Sequence, residues 1–399
     1  MYNIRKITDD LIYIGCSDRK ITLFETSYPV QDGMSYNSYL LKDEKTVLFD
    51  TVDKACAGQF YENLEAALEG RTLDYIVVQH MEPDHCALLT EVLRRYPAAQ
   101  IVCSSKTVNM IKQFFNTEVN AVVVKEGDIL NTGNHELQFF MAPMVHWPEV
   151  IVTYDKTDKI LFSADGFGSF GAINGNLFDT EIKCKCNYFG EARRYYANIV
   201  GKYGLQVQML LKKLAGLDIQ MICPLHGLII KDNITKFIEK YNKWSNYTPE
   251  DNAVMIAYSS VYGGTENAVN ILASKLAEAG ISNIKTYDVS MTHYSFVLAE
   301  AFRCSHIVLA STTYNAGLFE SMETFLRALR SKNLQNRKYV IIQNGSWAPT
   351  CGAEMRQIIE PLKGTEILDD SICIKSTIKE EQLQQLDNVV NTIVKSLGV

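Results

Sequence analysis

Past residue 250 the apolar positions alternate regularly. Strand-like runs at AVMIAYSS (253–260), IKTYDVS (284–290), HIVLAST (306–312), KYVIIQNG (338–345) and DSICIKS (370–376) are separated by amphipathic stretches. Within the first of these, Val269, Leu272 and Leu276 sit three and four residues apart, the spacing of one helix face. Five such alternations predict an open, doubly wound parallel sheet. The first 250 residues follow another pattern. SYNSYLLKD with TVLFDTV (35–52) predicts a hairpin, and VIVTYD with KILFSAD (150–165) predicts a second around Lys156-Thr157-Asp158. Between them lie αβ units such as YIVVQH (75–80) followed by the helical CALLTEVLRRY (86–96). Mixed strands and helices of this kind predict a layered α/β sandwich. A helical pattern ending around Tyr241 gives way to Trp244-SNYTPEDN-Ala253, which sets two domains, 1–248 and 253–399. There is no internal repeat and no low-complexity tract.

Composition agrees with that division and narrows the partners. At 399 residues the chain exceeds the length at which one hydrophobic core stops growing. With 39 basic and 46 acidic residues the formal charge is −7, which disfavours nucleic acid as a partner, since phosphate binding needs a basic surface. No apolar run approaches the roughly 20 residues that span a bilayer. Asp9 and Asp10 interrupt the N-terminal stretch where a secretion signal would be uncharged, so a cytoplasmic location is expected. The ten cysteines are scattered; Cys184 and Cys186 are the closest pair, and no C-x-x-C occurs. Buried free thiols in a reducing compartment are expected rather than disulfides or a thiolate zinc knuckle, and a fused iron–thiolate domain is excluded.

Candidate chemistry concentrates at strand ends. Of only seven histidines, two fall in QHMEPDHCALL, which holds His80, Glu82, Asp84 and His85 within six residues. The segment follows a buried-type strand and precedes a helix. Two imidazoles and two carboxylates so close are costly to bury without a cation. His146 in APMVHWPEV, Asp165 in LFSADGFG and His226 in ICPLHGL also end strand-like runs. His135, His293 and His306 lack such company and are expected to be structural.

This set, H-x-E-x-D-H followed by a lone His, Ala-Asp-Gly and Leu-His-Gly, resembles the flavodiiron branch of the metallo-β-lactamase superfamily. Most hydrolases of that superfamily carry His where this chain has Glu82. A carboxylate there makes the ligand set harder and more anionic, favouring redox-active iron over zinc. The resemblance implies an αββα sandwich in which His80, Glu82 and His146 hold one iron, Asp84, His85 and His226 hold the other, and Asp165 bridges them. Some members of the family leave the position of His85 uncoordinated. Tyr195 and Tyr196, in EARRYYANIV, lie on a helical stretch that passes over the metal pocket in relatives. Tyr195 is the candidate to place a hydroxyl near the reacting atoms, with Tyr196 second and plain packing as the alternative.

In the second half, the strand AVMIAY runs into Ser259-Ser-Val261-Tyr262-Gly263-Gly264-Thr265 and then a helix. Small residues let backbone N–H groups and the Ser and Thr hydroxyls surround a phosphate at the helix start. The loop lacks Gly-Lys-[Ser/Thr] and is not G-x-G-x-x-G, so a monophosphate is favoured over a triphosphate or dinucleotide. Two more loops leave strand ends where doubly wound sheets bind ligands: Thr312, Thr313, Tyr314, Asn315, Ala316 and Gly317, then Asn344, Gly345, Ser346 and Trp347. Tyr314 and Trp347 offer flat faces for an isoalloxazine ring. The three loops together resemble a short-chain flavodoxin and point to FMN.

Both halves and their order resemble flavodiiron proteins over essentially the entire chain. That resemblance implies reduction of dioxygen to water, of nitric oxide to nitrous oxide, or both. Two ferrous ions and one reduced FMN hold the four electrons that take O₂ to two waters, while two molecules of NO need two. It also implies an external donor, usually rubredoxin and in some archaeal relatives deazaflavin F420, and a head-to-tail homodimer or a dimer of dimers. Both gases fit the same ligands. The rival readings are a zinc hydrolase with a regulatory flavodoxin domain and a non-catalytic electron-transfer or gas-sensing flavoprotein.

Overall fold

The computed structural model describes residues 1–183, 185–368 and 372–398. Cys184 and the first two residues of the 370–376 run lie outside the described residues. The chain divides into two compact units, Met1–Tyr196 with Leu205–Asn242, and Ala197–Gly204 with Lys243–Val399.

The first unit packs two sheets face to face. One has seven strands in the order Arg5–Lys6, Leu11–Tyr13, Tyr39–Lys42, Thr46–Phe49, Tyr75–Val77, Gln100–Cys103, Ala121–Val123. Its pairing is antiparallel up to Thr46–Phe49 and parallel beyond. The other has five, Ile129–Asn131, Glu136–Met141, Ile151–Asp155, Ile160–Phe162 and Met221–Cys223, antiparallel except for the last pair. Tyr39, Phe49, Val77 and Val102 of the first sheet share one buried core with Phe139, Ile151, Phe162 and Cys223 of the second. The rings of Phe49 and Phe162 stack across it with centroids 3.9 Å apart. Truncating either to Ala would cost about 3–5 kcal/mol through the cavity it leaves.

Tertiary contacts redraw several elements. The 35–52 hairpin starts at Tyr39, because Met34–Tyr36 pairs instead with Cys16–Asp18. Between these strands the buried Asn37 donates its side-chain NH₂ to the carbonyls of Pro224 and Gly227, and its backbone N–H to Leu225, which pulls it out of the ladder. The helix expected over 86–96 is two pieces, Pro83–Cys86 and Leu89–Arg95. The carbonyl of His85, which would accept from Leu89 in a continuous helix, accepts from the Thr51 backbone N–H and hydroxyl. The hairpin around residues 156–158 pairs Ile151–Asp155 with Ile160–Phe162, and the helix expected to end near Tyr241 runs over Ile234–Ser245.

The second unit is a parallel sheet in the order Ile284–Asp288, Asp251–Tyr258, Cys304–Tyr314, Lys338–Asn344, then Glu366–Ile367 and Ile372–Ile374 beside the last. Counted along the chain this is 2-1-3-4-5, the flavodoxin-like order. The third strand is longer than the pattern suggested, and Gly317–Leu318 folds back antiparallel on its end. Val269, Leu272 and Leu276 are fully buried against Val254, Ile256 and Val308, and Leu386, Val389 and Ile393 of the helix Leu383–Leu397 close the same core. Among the described residues no helix is long and apolar enough to cross a membrane.

Candidate metal centre and flavin cradle

Every candidate ligand of the first unit leaves a strand end, and the backbone there is fixed from below. Asp50, in the left-handed region at φ 53, accepts from the Gln79 backbone (2.8 Å), the His80 backbone (3.3 Å) and the Gln79 side chain (3.1 Å). Burial pushes its carboxyl up to about 6 against the pull of His85 and these bonds. The turn they hold aims His80 inward. Pro83 then starts a short helix carrying Asp84 and His85, with Glu82 just before it. Ala164 at φ 49 turns the chain after Ile160–Phe162 so that Asp165 faces the same space. His226 follows Met221–Cys223 and is succeeded by Gly227 at φ 83, where a Cβ would stand 2.2 Å from the Ser169 hydroxyl. Only glycine fits there.

The side chains form two groups, His80, Glu82, His146 and Asp165, and Asp84, His85 and His226. In the first, Glu82 Oε2 lies 3.1 Å from both His80 Nε2 and His146 Nε2, and Asp165 Oδ2 lies 3.4 and 2.9 Å from the same two nitrogens. In the second, His85 Nε2 and His226 Nε2 are 3.1 Å apart, and Asp84 Oδ2 is 3.4 and 3.3 Å from them. Asp165 Oδ1 completes this group at 3.2 Å from His85 and 3.7 Å from His226. One carboxylate oxygen of Asp165 thus faces each group. Atoms about 2.1 Å from a shared ion lie roughly 3.0–3.4 Å from one another, close to the 2.9–3.7 Å found here.

Proton accounting shows why cations are needed. His80 Nδ1 donates to Glu149 Oε1 at 2.8 Å, and His226 Nδ1 donates to the Ser35 carbonyl at 2.7 Å. With their protons on Nδ1, both rings turn a bare Nε2 lone pair toward carboxylates or toward another imidazole. Both oxygens of Asp84, and Oδ1 of Asp165, are buried without a hydrogen-bond donor. Acceptors facing acceptors in a dry pocket are unfavourable until positive charge enters. Without a metal the only source is a proton. Burial would drive it off His80 and His146, but Asp165 and Glu82 outweigh burial, holding His80 well above its ordinary range and His146 at about 9. The same histidines hold Asp165 well below the carboxylate range against its own burial. The donor set fits two metal ions, and its carboxylate richness suits a hard, redox-active one.

In the second unit the three candidate loops leave the same end of the parallel sheet. Gly263, at φ 83, precedes the helix Gly264–Glu278, and a Cβ on Gly264 would stand 2.1 Å from the Ser376 carbonyl. Thr265 Oγ1 accepts from Asn344 Nδ2 (3.2 Å), which also donates to that carbonyl (3.0 Å), so the first and third loops are tied. Asn344 Oδ1 and Ser260 Oγ are buried with no partner, two orphaned groups beside a helix start. The Thr313 hydroxyl accepts from the backbone of Thr350 and Cys351, and Asn315 and Ala316 are both left-handed. Ser346 accepts from Ser376, and Gly345 abuts Pro349 too closely for a side chain. Ser259 departs from the loop, its hydroxyl buried against Ser311 at 2.8 Å. At the rim Tyr262, Val261, Tyr314 and Trp347 are exposed, Tyr262 to 99% and Trp347 to 90%. Small residues around a helix start with bare aromatic faces beside it fit a phosphorylated flavin.

Residues 34–227 match the family described as ODP family beta lactamase. The anaerobic nitric oxide reductase flavorubredoxin of Klebsiella pneumoniae is 30% identical over 348 residues, 86% of this chain and 72% of that one. The rubredoxin oxygen:oxidoreductase of Desulfovibrio gigas superposes with a TM-score of 0.93 at 27% identity over 99% of both chains. A mutant of the flavo di-iron protein of Thermotoga maritima gives 0.90 at 25% identity over the whole of both. The chain belongs to the flavodiiron protein family.

Within this flavodiiron protein several residues near the metal groups carry no distinctive sequence signal. Glu149, Asp50 and Ser35 orient ligands from behind, and only Glu149, three residues after His146, stood inside a segment that drew attention. Glu25, left-handed at φ 48 on the hairpin of Leu23–Phe24 and Tyr28–Pro29, is pushed up to about 7, first by desolvation and then by Glu82. Tyr195 is sealed from solvent, its ring 5.5 Å from that of His226 and 5.2 Å from Phe170, and its hydroxyl has no partner. Burial, then Asp165 and Glu82, holds that phenol well above its ordinary range. Tyr196 opens a π-helical turn and packs edge-on against Tyr241. His135 is clamped between Asp155 (2.7 Å) and Asp10 (2.8 Å), and His306 between Ser305 (2.8 Å) and Ser396 (3.0 Å). His293 stands at the start of the helix Tyr294–Arg303, accepting from the Ser295 backbone.

Proposed function

We propose that this flavodiiron protein is a cytoplasmic oxidoreductase that reduces dioxygen to water, nitric oxide to nitrous oxide, or both, at a di-iron centre, with FMN passing on electrons from an external donor of the rubredoxin type. The observation that carries this reading is Asp165, whose two oxygens each face one group of ligands. His80, Glu82 and His146 would hold one iron, and Asp84, His85 and His226 the other. The relatives support the chemistry: one is named a nitric oxide reductase and another an oxygen:oxidoreductase with rubredoxin. The zinc-hydrolase reading is therefore not carried forward.

Two ferrous ions would supply Lewis acidity and two electrons, and reduced FMN would supply two more, matching the four that O₂ needs. The chain's own residues do the rest. Glu149 and Ser35 fix the tautomers of His80 and His226, so that both rings keep Nε2 free for a metal. Tyr195 keeps its proton through the neutral range and can donate a hydrogen bond to an oxygen atom in the pocket. Phe24 meets the His226 ring edge-to-face at 5.4 Å and Trp147 meets His80 at 5.3 Å, and these rings keep bulk water from the ligands. In the second unit Thr265 and Asn344 would receive the FMN phosphate end, and Tyr314 and Trp347 would flank the ring. A head-to-tail homodimer, in which one chain's flavin serves its partner's irons, belongs to the same reading.

The test is anaerobic reduction of the iron- and FMN-loaded protein, then separate exposure to O₂ and to NO. Catalytic consumption of at least one gas is expected; consumption of neither overturns the proposal.

A further inference from the structure

A cavity of about 670 Å³ in the first unit lies apart from both candidate sites. Cys16 and Cys56 line it, together with Tyr13 and the cations Arg5, Arg19 and Lys20. The two cysteines are 40 residues apart in sequence but neighbours in space. Cys16 opens the strand Cys16–Asp18, which is held against Met34–Tyr36. Its predecessor Gly15 is jammed so tightly that a Cβ would stand 2.5 Å from the Tyr36 carbonyl. Cys56 ends the 3-10 turn Lys54–Cys56, which Asp53 caps by accepting from the Ala55 N–H at 2.7 Å. The strand Cys16–Asp18 and the turn Lys54–Cys56 lie against each other, which brings both side chains to one cavity wall. Both backbones are pinned, both cysteines line one cavity, and neither is bonded covalently.

We propose that Cys16 and Cys56 form a redox-active dithiol, which hydrogen peroxide converts reversibly into a disulfide. Cys56 is the attacking sulfur, since it is the more exposed of the two at the cavity wall, 7% against 3% for Cys16. The Cys56 thiolate attacks one peroxide oxygen; the O–O bond breaks, the departing hydroxide takes a proton and leaves as water, and Cys56 becomes a sulfenic acid. The Cys16 sulfur then displaces that hydroxyl, which leaves as a second water with the Cys16 proton, and the S–S bond forms. Two electrons pass from the sulfurs to the two peroxide oxygens, so two thiols and one peroxide give one disulfide and two waters.

The bond would join two supports of the second ligand group. Behind Cys16, Ser35 of the paired strand accepts from His226 Nδ1 through its carbonyl and from the Gly227 N–H through its hydroxyl. Before Cys56, Thr51 donates twice to the His85 carbonyl. Oxidation would therefore tie together the segments that support His85 and His226 from behind.

The test maps the full-length protein, freed of reductant under anaerobic conditions and treated with hydrogen peroxide, by alkylation with N-ethylmaleimide after denaturation, digestion and mass spectrometry. The expected product is a Cys16 peptide linked to a Cys56 peptide, lighter by two hydrogens than the sum of the reduced pair, present in most chains and reversed by dithiothreitol. In Cys56→Ser the link is absent and Cys16 remains alkylatable. Diamide, which oxidises dithiols directly, is run in parallel so that peroxide consumed at the metal centre does not mask the reaction. Full alkylation of both cysteines after both reagents, while the exposed Cys186 and Cys373 are modified, overturns the proposal, as does linkage of Cys16 to any other cysteine.

Discussion

The Nδ1 of His80 stands 2.8 Å from Oε1 of Glu149, and both side chains are sealed from solvent. Glu149 also accepts from the Met81 N–H at 2.8 Å, so one carboxylate fixes the imidazole and the backbone beside it. Glu149→Ala should weaken metal binding roughly 10- to 100-fold, the usual effect of losing a carboxylate behind a metal-bound histidine. Chelator competition measures this. A merely structural role would instead lower the melting temperature at unchanged metal affinity.

Asp165→Asn removes the negative charge shared by both groups while keeping the side chain's shape. Iron per chain, measured by elemental analysis after gel filtration, should fall from two to one or fewer. Retention of two irons would show that Asp165 does not join the groups.

For the flavin half the sharpest probe is Gly264→Ala. The added methyl would displace the Ser376 carbonyl and with it Asn344, which bonds both that carbonyl and Thr265. FMN affinity, read by flavin fluorescence quenching, should drop at least about tenfold, since two polar contacts of roughly 1 kcal/mol each are disturbed. Far-UV circular dichroism should stay unchanged.

What could be read from the sequence was local. His80, Glu82, Asp84, His85, His146, Asp165 and His226 stood out because strand ends project their side chains into one space, and a dense mix of imidazole and carboxylate has few other uses. The parallel sheet was legible from its βα alternation, and the Val269, Leu272, Leu276 stripe is buried as its spacing required. Long-range hydrogen bonds were not legible. Asn37 breaks the first hairpin by reaching the carbonyls of Pro224 and Gly227, and Thr51 splits the helix after His85 by taking its carbonyl, and no window of neighbouring residues contains those partners. Glu149, Asp50 and the Cys16–Cys56 pair were hidden for the same reason: each meets its partner at least 29 positions away in the chain.

The clamp on His135 predicts a pH dependence of stability. Its hydrogen bond to Asp155, with Asp10 on the other face, raises it to about 9 against an ordinary value of 6.5. The folded state therefore keeps a proton that the unfolded chain releases between these values. The stabilisation is full below about 6.5, declines as pH rises toward 9, and is gone above it. Denaturant melts should show the midpoint falling across that window in the wild type and a flatter profile in His135→Gln; identical slopes would contradict the assignment.

The central claim, that one chain joins two irons and one flavin into a four-electron reductant, is tested most directly by titrating the fully reduced, iron- and FMN-loaded protein with limiting O₂ under anaerobic conditions. One O₂ per chain should reoxidise the flavin and both irons together, with no hydrogen peroxide released. Release of about one hydrogen peroxide per O₂, with the flavin oxidised and the irons still ferrous, would contradict it.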